Sequence, residues 1–312
     1  MNYTLLNQNS CNLCPRNCKT NRFEKPGAYC QIDHQLYIAA IVNHKGEEPV
    51  ISGKNGICNV FFIHCNLQCV YCQNWQISRN TIPASKYKIS LKKAVDQIIQ
   101  ILDTGVPSLG FVSPSHNVTQ MLEIINLLHQ KNYYPTIVYN TNAYDNVSTL
   151  QQIKDVIDVY LPDLKYMSNT LARKYSKVGN YVEIATAAIK EMFEQKSSTL
   201  LIDDNGYAYF GLIIRHLILP NNIENSKKVL DFIAKELSTN IYISLMAQYY
   251  PAADAWKYPE LSRTLTPEEY NQVVDYMNEL GFSNGWIQFL DSAQYYTPDF
   301  TQKHPFEYSN SK

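Results

Sequence analysis

Three cysteines crowd one short stretch, Cys65-Asn66-Leu67-Gln68-Cys69-Val70-Tyr71-Cys72, directly after the apolar run Val60-Phe61-Phe62-Ile63. A β-branched and aromatic run of that length reads as a strand, so the thiols stand on a loop at a strand's end. C-x3-C-x2-C is an iron-sulfur spacing. Three thiolates hold three irons of a 4Fe-4S cluster, and the missing fourth ligand leaves one iron open to an exogenous molecule. Two other readings stand beside it: a zinc loop lacking its fourth ligand, and three thiols buried in a core. Zinc loops usually pair cysteines as C-x2-C or C-x4-C with a matching second pair, which is not the pattern of this run.

The remaining sequence limits the setting. With 312 residues and 45% hydrophobic content, the chain suffices for one large core, or one domain with a small appendage. A formal net charge of -1, a pI near 6.6 and scattered Lys and Arg create no field that would draw nucleic acid, so none is expected as substrate. Met1-Asn2-Tyr3-Thr4-Leu5-Leu6 lacks a basic region followed by an apolar one, and no apolar run approaches the roughly 20 residues a membrane span needs. The expected location is the cytoplasm. Seven of the eight cysteines fall into two tight groups, and a reducing cytosol favours metal or cluster ligation over disulfides.

Residues 1–58 have little periodicity and carry the first group, Cys11, Cys14, Cys18 and Cys30; they read as a loop-rich, metal-stapled leader. From residue 59 to 285 short β-branched or aromatic runs alternate with amphipathic helical patterns, the signature of a parallel sheet wrapped by helices. The strands are expected at Val60–Ile63, Leu109–Val112, Thr136–Tyr139, Val156–Leu161, Leu212–Leu219 and Ile241–Met246, giving six β/α units. Leu91, Ala94, Val95, Ile98, Ile99 and Leu102 form one apolar helical stripe, and Thr266-Pro267-Glu268-Glu269 is a capping box with proline at the first helical position. Residues 286–312 read as a C-terminal strap or tail, with Trp286-Ile287-Gln288-Phe289 as a short strand or strap.

Parallel barrels build their sites at the C-terminal ends of the strands. Here those ends are polar: Ser113-Pro114-Ser115-His116-Asn117, Asn140-Thr141-Asn142, Asp163-Leu164-Lys165, Arg215-His216 running to Pro220-Asn221, and Gln248-Tyr249-Tyr250. Each alone is an ordinary loop cap, but together they converge on one rim.

With those blocks in place the chain resembles the radical S-adenosylmethionine (radical SAM) superfamily, and within it relatives of the pyruvate formate-lyase activating enzyme. The resemblance runs from His64 to Ser78 through Ser113–His116, Tyr139–Asn142, Tyr160–Tyr166, Arg215–Pro220 and Leu245–Tyr249. Cys11-Asn12-Leu13-Cys14-Pro15-Arg16-Asn17-Cys18 resembles a subgroup with an extra cysteine-rich leader. It implies a partial TIM-like (β/α)6 barrel of α/β class with a small N-terminal cysteine-rich segment, a 4Fe-4S cluster on Cys65, Cys69 and Cys72, and SAM on the open iron. One electron then breaks the sulfonium-carbon bond and makes a 5'-deoxyadenosyl radical.

The same resemblance implies that the backbone around Tyr71 lies against the adenine. Asp163 and Lys165 lie by the methionine carboxylate and sulfonium, with Asn140, Thr141 and Asn142 reaching toward that carboxylate. Arg215 and Gln248 are further rim contacts. A lysine suits a carboxylate taken out of water, which needs a charge-assisted partner. Two departures stand out. Ser113 and Ser115 occupy the place of a Gly-Gly-Glu type motif that receives the methionine amino group, and their oxygens can accept its hydrogen bonds. Asn140 replaces an aspartate associated with a monovalent cation, which puts a cation site there in doubt.

The leader spacing, C-x2-C-x3-C-x11-C, allows a structural zinc, an auxiliary iron-sulfur cluster, or disulfides and free thiols. Cys58 lies outside both groups and reads as a small buried hydrophobe. Most histidines read as structural, because radical hydrogen abstraction demands no general base; His116, at a strand end, is the candidate catalytic side chain. Family resemblance points to an activase for a glycyl radical enzyme, served by a flavodoxin- or ferredoxin-type electron donor. The alternatives are a radical SAM enzyme acting directly on a small molecule or peptide, and a non-catalytic metal-binding scaffold.

Overall fold

β-branched and aromatic runs separated by amphipathic helices form one sheet with helices on its outside. The computed structural model describes residues 8–294, 297–302 and 304–306; the Met1–Leu6 segment and the end of the tail beyond Phe306 lie outside them. The strands are β1 (Ile38–His44), β2 (Ile57–Phe62), β3 (Ser108–Val112), β4 (Thr136–Thr141), β5 (Val159–Pro162), β6 (Leu200–Ile202), β7 (Ala208–Leu217), β8 (Tyr242–Met246) and β9 (Gly285–Ile287). The helices are α1 (Pro49–Ser52), α2 (Trp75–Ser78), α3 (Leu91–Leu102), α4 (Val118–Gln130), α5 (Val147–Ile153), α6 (Asn169–Ser176), α7 (Tyr181–Lys196), α8 (Ile223–Glu236) and α9 (Pro267–Glu279).

The strand order is β1-β2-β3-β4-β5-β7-β8-β9, with β6 paired to β7. β1 and β6 are antiparallel to their neighbours and every other pairing is parallel. The order does not return on itself, so the barrel is partial, and the six expected strands each lead into a helix as a (β/α)6 unit. β1 and β9 extend it. The strand β1 starts the sheet well before residue 58, so the cysteine-rich leader proper ends ahead of Ile38 and the boundary drawn at 58 cuts through β2. Its sequence IAAIVNH has three half-buried residues in a row, Ala39 to Ile41, which leaves no clean two-residue alternation to read.

Alternation along the inner strands sorts the lumen into layers. Toward the strand starts Ile57, Val138, Val159 and Ile213 pack with Ile51 of α1, which plugs that end of the barrel. Two residues further along, the same face carries Asn59, Asn140 and Arg215, and the lining turns polar. Gly110 of β3 makes room for this layer, since a Cβ there would stand 2.1 Å from the Asn59 side-chain oxygen. The opposite face of β2, with Cys58, Val60 and Phe62, joins the main core with Ala94, Val95 and Ile98 of α3. Cys58 is fully buried, as expected of a small hydrophobe. Ser90 caps α3 by accepting the Lys93 N–H, and both halves of the Thr266–Glu269 capping box are formed on α9. Among the described residues no helix is long and apolar enough to cross a membrane.

Candidate functional site

The cysteine loop leaves β2 through His64, whose φ of 63° turns the chain sharply. Its ring nitrogens lie 2.7 Å from the Cys30 carbonyl and 2.8 Å from the Ile82 carbonyl, holding the turn between the leader and the segment after α2. Every thiol of the loop has a polar partner. The Cys65 sulfur accepts from the Leu67 N–H and from the Asn142 amide, both at 3.4 Å. Cys69 lies 3.0 Å from the Ser176 hydroxyl and Cys72 3.1 Å from the Ser78 hydroxyl. Burial pushes the Cys65 thiol up to about 12 and Cys69 up to about 11, and raises Cys72, while the Lys165 ammonium opposes the rise at all three.

Behind the loop runs a chain of hydroxyls. Tyr71 meets Tyr166 at 2.6 Å, Tyr166 meets Ser176 at 2.7 Å, and Ser176 meets the Cys69 sulfur. Thus the Tyr71 side chain is itself buried and engaged beside its backbone. Hydrogen bonds to cluster sulfurs raise reduction potentials. Ser176→Ala is therefore expected to shift the cluster midpoint to more negative potential with the fold intact, read by redox-titrated electron paramagnetic resonance; an unchanged potential would remove this role from Ser176.

The polar lumen centres on Arg215. Its Nε stands 2.7 Å from Asp163, Nη1 stands 2.9 Å from Glu47, and Nη2 donates to the Asn140 oxygen at 2.9 Å. Lys165 pairs with the other Asp163 oxygen at 2.8 Å. Glu47, from the turn after β1, also accepts from Asn59 at 2.9 Å and from Asn140 at 3.4 Å. Desolvation works against the Asp163 carboxylate, but Arg215 and Lys165 outweigh it and hold its pKa below the ordinary range. Desolvation likewise opposes the Lys165 ammonium and is outweighed by Asp163, so this lysine stays charged. A guanidinium faces Asn140 where the resemblance placed a metal cation in doubt. Glu48, beside Glu47, is buried and its carboxyl is raised by desolvation.

Of the rim residues read from the sequence, Asn140, Arg215 and Gln248 line one pocket of about 320 Å3 together with Glu47, Ser244 and Gln73. Asp163 joins them through Arg215, and Lys165 through Asp163. Asn142 is drawn instead to the cluster loop, bonding Cys65 and the Asn66 oxygen. Ser115 and Thr141 turn toward each other and toward buried Asp145, which takes hydrogen bonds from both and from Tyr139. Ser113 adopts a left-handed conformation and its N–H donates to the Asn140 carbonyl.

That turn corrects the placement of His116. It swings the Pro114–His116 segment behind Ile63, so His116 is buried with Nε2 3.0 Å from the Ile63 carbonyl and lines a cavity of the leader instead of the lumen pocket. Burial depresses its pKa to about 3, and it has no route to a substrate in the lumen. Glu47, Asp145, Ser176 and the two amides that bracket Gln248, Gln73 and Gln288, were not singled out as site residues in the sequence. Only Glu47 carried a local signal, as half of an acidic pair ahead of Pro49.

The family model for the radical SAM superfamily matches residues 59–205. The uncharacterized protein MJ0674 of Methanocaldococcus jannaschii is 33% identical over 273 residues, covering 85% of this chain and 73% of that protein. The chain belongs to the radical SAM superfamily. It also resembles a solved domain of a pyruvate-formate lyase-activating enzyme from Bacteroides vulgatus, at 18% identity and a TM-score of 0.37, covering 53% of this chain and 89% of that one. Streptococcus suis SuiB bound to its precursor peptide SuiA is similar at 15% identity and a TM-score of 0.49, covering 73% of this radical SAM chain and 47% of SuiB.

Membership of the radical SAM superfamily implies a 4Fe-4S cluster and SAM, and the residues fit both. Among the described residues no three Cys, His, Asp or Glu side chains are already arranged to hold a metal ion, so the fit rests on donor chemistry. Three thiols share one loop, amide and hydroxyl donors surround their sulfurs, and the Lys165 charge favours their thiolates. Lys165 and Arg215 place two cations near that loop, Lys165 paired with Asp163 and Arg215 with Asp163 and Glu47.

Neutral buried histidines make this radical SAM chain acid-sensitive. His216 Nδ1 donates to the Leu164 carbonyl at 2.7 Å and its Nε2 accepts from Ser226 at 2.9 Å, with burial lowering its pKa to about 4. Unfolded imidazole titrates near ~6.5, so between about pH 6.5 and 4 the unfolded chain binds the extra proton. Stability falls as pH drops through that window, by up to about 1.4 kcal/mol per pH unit for each such histidine. Urea midpoints at pH 7 and pH 5 should differ less in His216→Gln; an equal difference would show that His216 does not titrate this way.

Proposed function

We propose that this enzyme cleaves SAM reductively and directs the radical at a compact polar substrate held in the lumen. The observation carrying this reading is the pocket of about 320 Å3, bounded by Glu47, Asn140, Arg215 and Ser244 within and by Gln288, Pro298 and Phe306 toward the tail. Pockets that take single small ligands begin at roughly this size. When bound, the cluster and SAM supply the electron and the hydrogen-abstracting radical. The chain's own residues do the positioning. Lys165 and Arg215 orient a carboxylate, the Gln73–Gln248–Gln288 amides tie the cluster loop to the strand end, and Pro298 and Phe306 of the tail line one side of the pocket.

A glycine within a partner protein would bring two peptide arms through the same opening, whereas a small molecule brings none. A second reading, activation of a glycyl radical enzyme with a flavodoxin- or ferredoxin-type donor, is favoured by the order of sequence blocks from Cys65 to Tyr249. The test is anaerobic turnover of the reconstituted chain with reductant, SAM and deuterated small polar compounds, alongside a candidate glycyl radical partner. Deuterium in the released 5'-deoxyadenosine supports the first reading. A glycyl radical signal on the partner, with no deuterium transfer from any small compound, would replace it with the second.

A further inference from the structure

The four leader cysteines remain outside that chemistry. All eight cysteines of the chain are unpaired, and Cys11, Cys14, Cys18 and Cys30 line one water-sized cavity of about 10 Å3. Two of the four repeat a local arrangement found at the cluster ligands. The N–H two residues ahead donates to the sulfur at Cys14, from Arg16, and at Cys30, from Ile32. Leu67 does the same for Cys65 and Asn74 for Cys72. Such turns prepare a sulfur to carry charge.

The charges around the cavity are unbalanced without a bound group. Arg22 is fully buried, yet its donors reach only the carbonyls of Asp33 and His116, at 2.6 to 3.1 Å. Arg16, half-buried, also lines the cavity; it reaches the carbonyls of Asn66 and Lys177 and lies 3.6 Å over the Tyr29 ring, with no anion among these partners. Among the described residues neither guanidinium has a carboxylate at ion-pair distance. A buried guanidinium cannot shed its proton and is costly without an anion. Four thiolates around one divalent cation carry a net charge of minus two, which two guanidiniums balance.

We infer that Cys11, Cys14, Cys18 and Cys30 bind a single tetrahedral zinc-class ion that braces the catalytic cysteine loop. The four cysteines line room for one ion. His116 also lines it, and its Nδ1 is buried without a partner. A set of three cysteines and His116 would leave one negative charge against two guanidiniums, so the four thiolates are the ligands. The brace follows from contacts already present. Cys30 holds His64 through its carbonyl, Arg16 holds the Asn66 carbonyl at 2.8 Å, and Asn80 links the Tyr29 carbonyl to the Cys65 N–H.

The test uses the full chain with Cys65, Cys69 and Cys72 replaced by alanine, so its outcome is independent of the radical chemistry. After chelation under reducing conditions it is titrated with Co2+. One Co2+ per chain is expected, with the ligand-field bands of a tetrahedral four-sulfur site, displaced by one equivalent of Zn2+. Cys18→Ser, at the half-exposed ligand, should alter those bands, and His116→Ala should leave them unchanged. The unmutated chain, isolated anaerobically, should hold one zinc beside the irons of a single cluster, which covers the case in which a variant fails to fold. Absence of Co2+ binding, a second set of four irons with sulfide at the leader, or bands that follow His116 and ignore Cys18 would overturn the inference.

Discussion

Arg215→Ala is expected to destabilise the folded chain by about 3–5 kcal/mol, because it strips the shared cation from buried carboxylates. Asp163 and Glu47 are only 19% and 10% exposed, and Arg215 reaches both with a fork that also engages Asn140. Asp163 keeps Lys165, but Glu47 is left with two neutral amides. Arg215→Lys should recover part of the loss, since a point charge cannot span three partners in different directions. The sign of the pH dependence follows from Asp163, whose folded pKa lies below the ordinary value. Its contribution is present above the unfolded pKa of about 3.9 and is lost as pH falls through the depressed folded value. The gap between parent and variant in urea unfolding should therefore be full near neutrality and narrow in strong acid. A gap below about 1 kcal/mol at neutral pH would show that the network carries no more than a surface ion pair does.

The second large effect is on chemistry. Cys69→Ala should abolish reductive cleavage of SAM, bringing 5'-deoxyadenosine release down to the background of reductant without protein, with cluster iron lost in parallel. Two thiolates cannot hold the cluster with one open position, and this substitution also removes the sulfur at the end of the Tyr71–Tyr166–Ser176 chain. Cys58→Ala is the matched control. That thiol is fully buried, where Cys69 is half-buried, and faces the helical side of β2, so its loss should cost some stability while cleavage and iron content persist. Cleavage well above background in the Cys69 variant would sink the cluster assignment.

The legible parts of the fold were those written in local patterns. Long β-branched or aromatic runs marked β2, β3, β4, β5, β7 and β8, and the 3.6-residue stripe marked α3, because each pattern reports which face of its own element is buried. β1 and β6 escaped, and β9 was read only as a short strand or strap at Trp286-Ile287-Gln288-Phe289. They are half-buried or three residues long, and their apolar positions keep no alternation that a single sequence can show. The candidate site divides the same way. Polar strand ends were visible one by one, but Ser115 and Thr141 turned to serve Asp145, and Asn142 turned to Cys65, for reasons that lie in their neighbours. His116 looked like a rim residue until the left-handed Ser113 sent it behind Ile63.

By itself the sequence determined the cluster loop. The spacing of Cys65, Cys69 and Cys72 is a covalent property of eight consecutive residues, and no packing choice can separate thiols that share so short a span. Only the tertiary structure decided what surrounds it. Glu47 meets Arg215 across 168 residues, Ser176 meets Cys69 across 107, and Arg22 meets the carbonyl of His116 across 94. Those contacts depend on strand order, register and the two-residue alternation that selects the inward side chains. They exist only once the sheet has curved into a partial barrel and desolvated them together.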